Sequence, residues 1–223
     1  MALQVLYEDN HLIAVYKPAG VLVQGDETGD PTLMDEVKYY LKTEYNKLGK
    51  VFLGLIHRLD RPVSGIILFA KTSKGASRLS EQFRLHTVEK IYHALVLGMP
   101  AVGKDTLVHY LKKDENKNIV AVVKKETPGS QYAELAYETV QTNGAYSIVK
   151  VILKTGRAHQ IRAQLSAIGC PIVGDVKYGA PHAQPDRSLA LCATSLSFTT
   201  ATGEERKTIS IDIPHAWRAM VQK

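Results

Sequence analysis

A chain in which strands outnumber helices is what this sequence predicts, and three observations carry the prediction. Apolar runs of strand length recur throughout, at 3–7, 12–16, 66–70, 89–98, 131–140, 146–153, 188–198 and 209–213, each bounded by turn-forming residues. Helical spacing is confined to four stretches, near 32–45, 73–86, 161–168 and 214–221. Asn143–Gly144, between two of the runs, is a strong signal for a hairpin joining antiparallel neighbours.

Taken in order, Leu3–Tyr7 and Leu12–Tyr16 flank Glu8–Asp9–Asn10 as strand, turn, strand, and Lys17–Pro18–Ala19–Gly20 stops the second. Gly25 to Pro31 is a polar loop. Thr32 opens a helix in which Leu33, Val37 and Tyr40 or Leu41 repeat at helical spacing. The stretch His57–Arg58–Leu59–Asp60–Arg61–Pro62–Val63–Ser64–Gly65 cannot be regular structure. Pro62 steers Arg61 away from the helical region, and Gly65 permits a tight bend before the run Ile66–Ala70. A carboxylate is thus held on a short loop at the end of a strand. Arg58 and Arg61 on either side favour its charged form, which suits an anionic nucleophile or electrostatic stabiliser better than a proton donor. The same residues could equally form a surface ion cluster of small energetic weight.

Ser73 is the candidate N-cap of the next helix, with Leu79 and Phe83 on its inner side. Glu89 to Gly98 then carries apolar residues on both faces, as a doubly covered strand does. Gly98 to Asp105 nearly spells a phosphate-binding loop, but Asp105 stands where the pattern needs a hydroxyl for magnesium and would repel a triphosphate. Leu107 to Val123 alternates weakly and carries Lys112, Lys113 and Lys117, with Lys124 and Lys125 just after it. These lysines read either as a solvated edge that discourages pairing or as a track for an RNA backbone. In Lys154–Thr155–Gly156–Arg157–Ala158–His159–Gln160–Ile161–Arg162, Gly156 ends a strand. Ile161, Leu165 and Ile168 mark a buried helix face closed by Gly169. Arg162, beside that stripe, offers a planar fork for a neighbouring carboxylate.

The composition narrows the classes. At 223 residues with 45% hydrophobic content, the chain has enough apolar material for a true core, and it is expected to form one domain over 1–223. A formal net charge of +6, dispersed along the chain, is compatible with a polyanionic partner. Cys170 and Cys192 are far apart with no ligand spacing, which argues against a disulfide framework and against a metal site. No charged-then-apolar leader opens the chain and no apolar run approaches the ~20 residues of a membrane span, so a cytoplasmic setting is expected.

The nonapeptide at 57–65, the strand it leads into and the following Ala70–Lys71–Thr72 resemble the signature of the RluA-type pseudouridine synthases. Val63 stands where that family more often has Thr. Lys17–Pro18–Ala19–Gly20 resembles the turn that precedes the family's catalytic loop. Tyr92, in Glu89–Lys90–Ile91–Tyr92, matches its active-site tyrosine, and the string ending in Arg162 resembles its third motif, with Pro171–Asp175 and Tyr178–Gly179 continuing the match. Cys192 falls where the family commonly has His.

The resemblance implies an α+β fold: a single catalytic domain with a mixed, mainly antiparallel sheet flanked by helices, lacking the small RNA-binding domain that often precedes it. It implies isomerisation of uridine to pseudouridine in ribosomal or transfer RNA, needing no cofactor and no metal, by a monomer with no obligatory protein partner and no membrane. Catalytic roles fall to Asp60, Tyr92 and Arg162, the last pairing with the aspartate. Substrate-binding roles fall to Arg58, which fills the space of the everted base, and to His57, Arg157, His159 and Leu191, the leucine excluding water. Asp60 attacks the ribose or base, or takes a proton from the sugar; the residues leave both open. A catalytically silent RNA-binding protein of the same fold is the alternative. A glycosidase would need a second acid across the bond, and none stands out near Asp60.

Overall fold

A computed structural model describes residues 3–222, and the chain divides into two compact units. One comprises residues 1–88 with 195–211, the other 89–194 with 212–223.

The first unit is built on β1 (Val5–Glu8), β2 (Leu12–Lys17), β3 (Gly54–Leu55) and β4 (Ser64–Ala70), and includes β11 (Arg206–Ser210). β2 pairs antiparallel with β1 on one side and with β4 on the other. Strand alternation sends Leu12, Ala14, Ile66, Leu68 and Ala70 to one face and Ile13, Val15, Ile67 and Phe69 to the other. Both faces are covered. Helix α2 (Ser73–Arg84) lays Leu79 on the first, and α1 (Leu33–Glu44) lays Leu33, Val37 and Leu41 on the second. α1 starts where the spacing predicts, because Thr32 and Asp35 form a reciprocal capping box. α2 differs by one residue from the expectation: Thr72, not Ser73, is the cap, and its hydroxyl accepts the Gly75 N–H.

The second unit is the antiparallel order β5-β9-β8-β6-β7, with β5 spanning Glu89–Leu97, β6 Lys104–Asp114, β7 Ile119–Val123, β8 Gln131–Thr142 and β9 Tyr146–Leu153. The β8–β9 hairpin turns at the expected Asn143–Gly144. Gly144 has φ +86°, and the Asn143 side chain accepts the Tyr146 N–H. Lys104 begins a strand instead of a helix, so the near-match to a phosphate-binding loop lacks the helix N-terminus that motif requires. Helix α3 (Gln160–Ala167) packs Ala163 against Leu111, Val120 and Ala133. It ends in a Schellman arrangement, with Cys170 N–H on Leu165 O and Gly169 N–H on Ser166 O. Helix α4 (His215–Val221) buries Trp217 and Val221.

Strand β10 (Leu191–Thr199) carries the chain from the second unit back to the first. β11 lies three residues earlier than the isoleucine pattern at 209–213 suggests. Its polar residues 206–208 are made strand by main-chain pairing, Thr199 opposite Arg206 through Ser195 opposite Ser210. No helix among the described residues is long and apolar enough to cross a membrane.

Candidate active site

Asp60 sits half-buried on the loop leading into β4, between Leu59 and Val63, which are 7% and 3% exposed and anchor the loop on either side. The Asp60 carbonyl accepts the Val63 N–H at 3.0 Å and closes the turn around Arg61–Pro62. Gly65, paired with Lys17, has φ +126°, a backbone region that a residue with a Cβ rarely enters. The bend expected from Gly65 is therefore real, although the strand already begins at Ser64.

The main brace of this loop is a residue whose role the sequence did not reveal. Lys17 is fully buried at the end of β2, and its Nζ donates to the carbonyls of Val63 at 2.7 Å, Pro18 at 2.9 Å and Arg61 at 3.0 Å. The Gly20 N–H adds a bond to Arg61 O at 2.8 Å. The Lys17–Gly20 turn thus physically holds the Asp60 loop. Burial pushes the Lys17 ammonium down to about 8; the negative charge of Asp60 opposes that shift and Arg61 adds to it.

The sign of the pH effect follows. Below about pH 8 Lys17 is charged in folded and unfolded chains alike, and the fold bears the full cost of burying it. Between about 8 and the unfolded value of 10.5 the unfolded chain binds more protons, so this group makes stability rise with pH. A neutral amine, however, has only two N–H bonds for three carbonyls. We expect kcat/KM to fall above about pH 8 with no matching fall in melting temperature from this group. Parallel pH profiles of activity and thermal unfolding check it, and a flat activity profile to pH 10 would refute it.

Arg61 departs from expectation. Its guanidinium turns away to the preceding loop, where Nη2 meets Asp30 at 2.7 Å and Nε meets Gly20 O at 3.0 Å. Arg58 is exposed. His57 stacks on Phe83 of α2, with ring centroids 4.9 Å apart, and its Nε2 accepts the Leu68 N–H at 3.0 Å. That bond ties the start of the loop to β4.

The remaining candidates lie in the second unit. Tyr92 is 8% exposed on β5, opposite Val151, and Leu191, 4% exposed, begins β10. Arg162 is buried on α3 and makes a bidentate pair with Asp175, Nε–Oδ2 2.7 Å and Nη2–Oδ1 2.8 Å, both side chains almost wholly excluded from water. Its guanidinium lies 4.8 Å from the Tyr178 ring centroid. The Tyr178 hydroxyl accepts the Val120 N–H at 2.7 Å and meets His159 Nδ1 at 2.8 Å. Asp175 and Tyr178 therefore organise Arg162 and His159 together. The sequence match ran through both but gave neither a role. Arg157 is elsewhere: its Nε donates to Tyr132 O on β8. A cavity of about 440 Å³ in the first unit, lined by α1 and residues 48–51, contains none of these motif residues.

The arrangement is a braced acidic loop in one unit and a fixed, buried guanidinium in the other. Residues 11–167 match the profile of the family described as RNA pseudouridylate synthase. The chain belongs to the RNA pseudouridylate synthase family. It is therefore an enzyme, an isomerase acting on uridine in RNA. The tRNA pseudouridine synthase C of Haemophilus influenzae is 33% identical over 241 residues, covering 99% of this synthase and 97% of the relative. An uncharacterized RNA pseudouridine synthase of Chlorobaculum parvum is 32% identical over 241 residues, 98% of this chain and 73% of the other. Human RNA Pseudouridylate Synthase Domain Containing 4 shares the fold, with a TM-score of 0.81 at 22% identity over 98% of this chain and 92% of that one. The α+β class expected of the synthase is the class observed.

Proposed function

We propose that this synthase converts uridine to pseudouridine in transfer RNA, with Asp60 as the essential carboxylate and Tyr92 and Arg162 as its catalytic companions. The observation that carries the reading is the match, along nearly its whole length, to a relative named for tRNA. The brace on Asp60 supports it, since an anion that must meet an everted uridine has to be held in place before the base arrives. In the reaction the bond from nitrogen to ribose breaks, the uracil turns in the pocket, and a carbon–carbon bond forms to the same sugar.

Tyr92 offers the base a flat face and a hydroxyl, Leu191 keeps water from capturing the separated sugar, and Arg58 fills the space the base vacates. Arg157 and His159 contact the RNA. His57, with Nε2 committed to Leu68, is better read as a positioning residue than as a substrate contact. The whole chain acts as one catalytic domain, a monomer working in the cytoplasm without protein partners; the family match runs through residues of both units, which supports the first of these.

Mapping pseudouridines in total RNA from a strain lacking the gene, against its parent, tests the substrate. Loss of one or more tRNA pseudouridines is expected. Loss confined to ribosomal RNA would move the assignment there.

A further inference from the structure

The lysines at 112–125 do not form one patch, and the way the structure divides them points to a second RNA-contacting surface. Lys112 and Lys113 are neighbours on β6 and so face opposite sides of the sheet. Lys113 lies on the side where Leu111 and Val120 pack against α3, and its Nζ is paired with Glu115 at 2.5 Å. Lys112 lies on the other side, two residues from Tyr110. Tyr110 stands directly opposite Tyr132 of β8, the rings edge to face with centroids 5.9 Å apart.

Lys125, just beyond β7, reaches over the Tyr110 ring with its Nζ 6.0 Å from the centroid. Val108, on the same side of β6, is 51% exposed, and Tyr132 is 39% exposed. The last β8–β9 pair is Leu135 with Leu153, so residues 131–134 have an edge that β9 does not cover. The 154–160 loop fills that edge, and through it Arg157 reaches the main chain of Tyr132. A continuous line of contacts thus runs from Arg157 through Tyr132 and Tyr110 to Lys125. Carboxylates stand on this side too: Glu134 is hydrogen-bonded to the Tyr132 hydroxyl, Asp114 at the end of β6 accepts the Lys117 N–H, and Glu138 lies farther along β8, opposite Lys104.

We propose that this face binds an unpaired stretch of the RNA substrate, its phosphates on Lys112, Lys125 and Arg157 and a base against the exposed Tyr132, which the half-buried Tyr110 backs edge to face. Cations bordering an aromatic surface are what a flexible single strand requires, one for its charge and the other for its bases. A solubilising edge would have no use for a tyrosine and a valine in water. The inference rests on the chain being an RNA pseudouridine synthase and adds where the strand lies beyond the reacting nucleotide.

The test is the salt dependence of binding to fluorescently labelled bulk tRNA from a strain lacking the gene, with pseudouridine formation by the wild-type protein measured alongside. Lys112→Ala with Lys125→Ala should reduce the slope of log affinity against log salt by about 1.4, two single-strand phosphate contacts. Tyr132→Leu should weaken binding roughly ten-fold. Lys113→Ala should leave the slope unchanged. A wild-type slope in the double variant, or an equal loss in Lys113→Ala, overturns the proposal while wild-type turnover keeps the enzyme reading standing. A wild-type protein that makes no pseudouridine and binds no tRNA overturns both.

Discussion

Asp60→Asn is expected to abolish pseudouridine formation, lowering turnover by at least ~10⁴-fold, the scale on which enzymes lose rate when a group at the reacting atoms is removed. RNA affinity should stay within a few-fold. The substitution keeps size and shape, and Lys17 and Gly20 hold the loop through its main-chain carbonyls. Single-turnover assays and binding to the same tRNA separate the two quantities. Turnover equal to wild type would remove Asp60 from the chemistry. A catalytically silent RNA-binding protein would show no turnover before or after the change.

Arg162→Met is expected to lower stability by about 3–5 kcal/mol, because it strands the Asp175 carboxylate at 1% exposure without its bidentate partner. In a chain of this size that is a drop on the order of 10 °C in melting temperature. Replacing both members, Arg162→Met with Asp175→Leu, should recover most of the loss, since an apolar pair of similar volume removes the uncompensated charge. Activity should not return with it if Arg162 acts in the reaction. Thermal unfolding of the wild type and the two variants decides: an unchanged melting temperature in the single variant would mean that the buried pair contributes nothing.

What the sequence disclosed depended on how local the signal was. The doubly covered strands β2 and β4, the 143–144 hairpin and the Gly169 helix end all follow from spacing or from one residue's backbone freedom. Thr72 and Ser73 are equally good caps on paper, and only the geometry picks the hydroxyl that reaches Gly75 N–H. The early start of β11 was hidden because main-chain pairing with β10 needs no apolar pattern.

The site was legible as a set of residues and much less so as a set of contacts. Lys17 reads as a charged residue closing a strand, and nothing nearby shows that its ammonium crosses to carbonyls 44 and 46 positions away. Asp175 lies 13 residues beyond Arg162, past the end of α3, so helical spacing could not pair them. Arg61 adjoins Asp60 in the sequence, but its length lets it reach Asp30. The division of Lys112 from Lys113, by contrast, follows from strand alternation alone and was available from the start.

The clasp on the 58–65 segment reads only peptide oxygens. The bonds from Lys17 therefore do not depend on whether position 63 carries a valine or a threonine, so long as the side chain fills its buried place. Tolerance of that kind lets the rim around Asp60 be re-cut for a new nucleic acid while the loop itself stays in register.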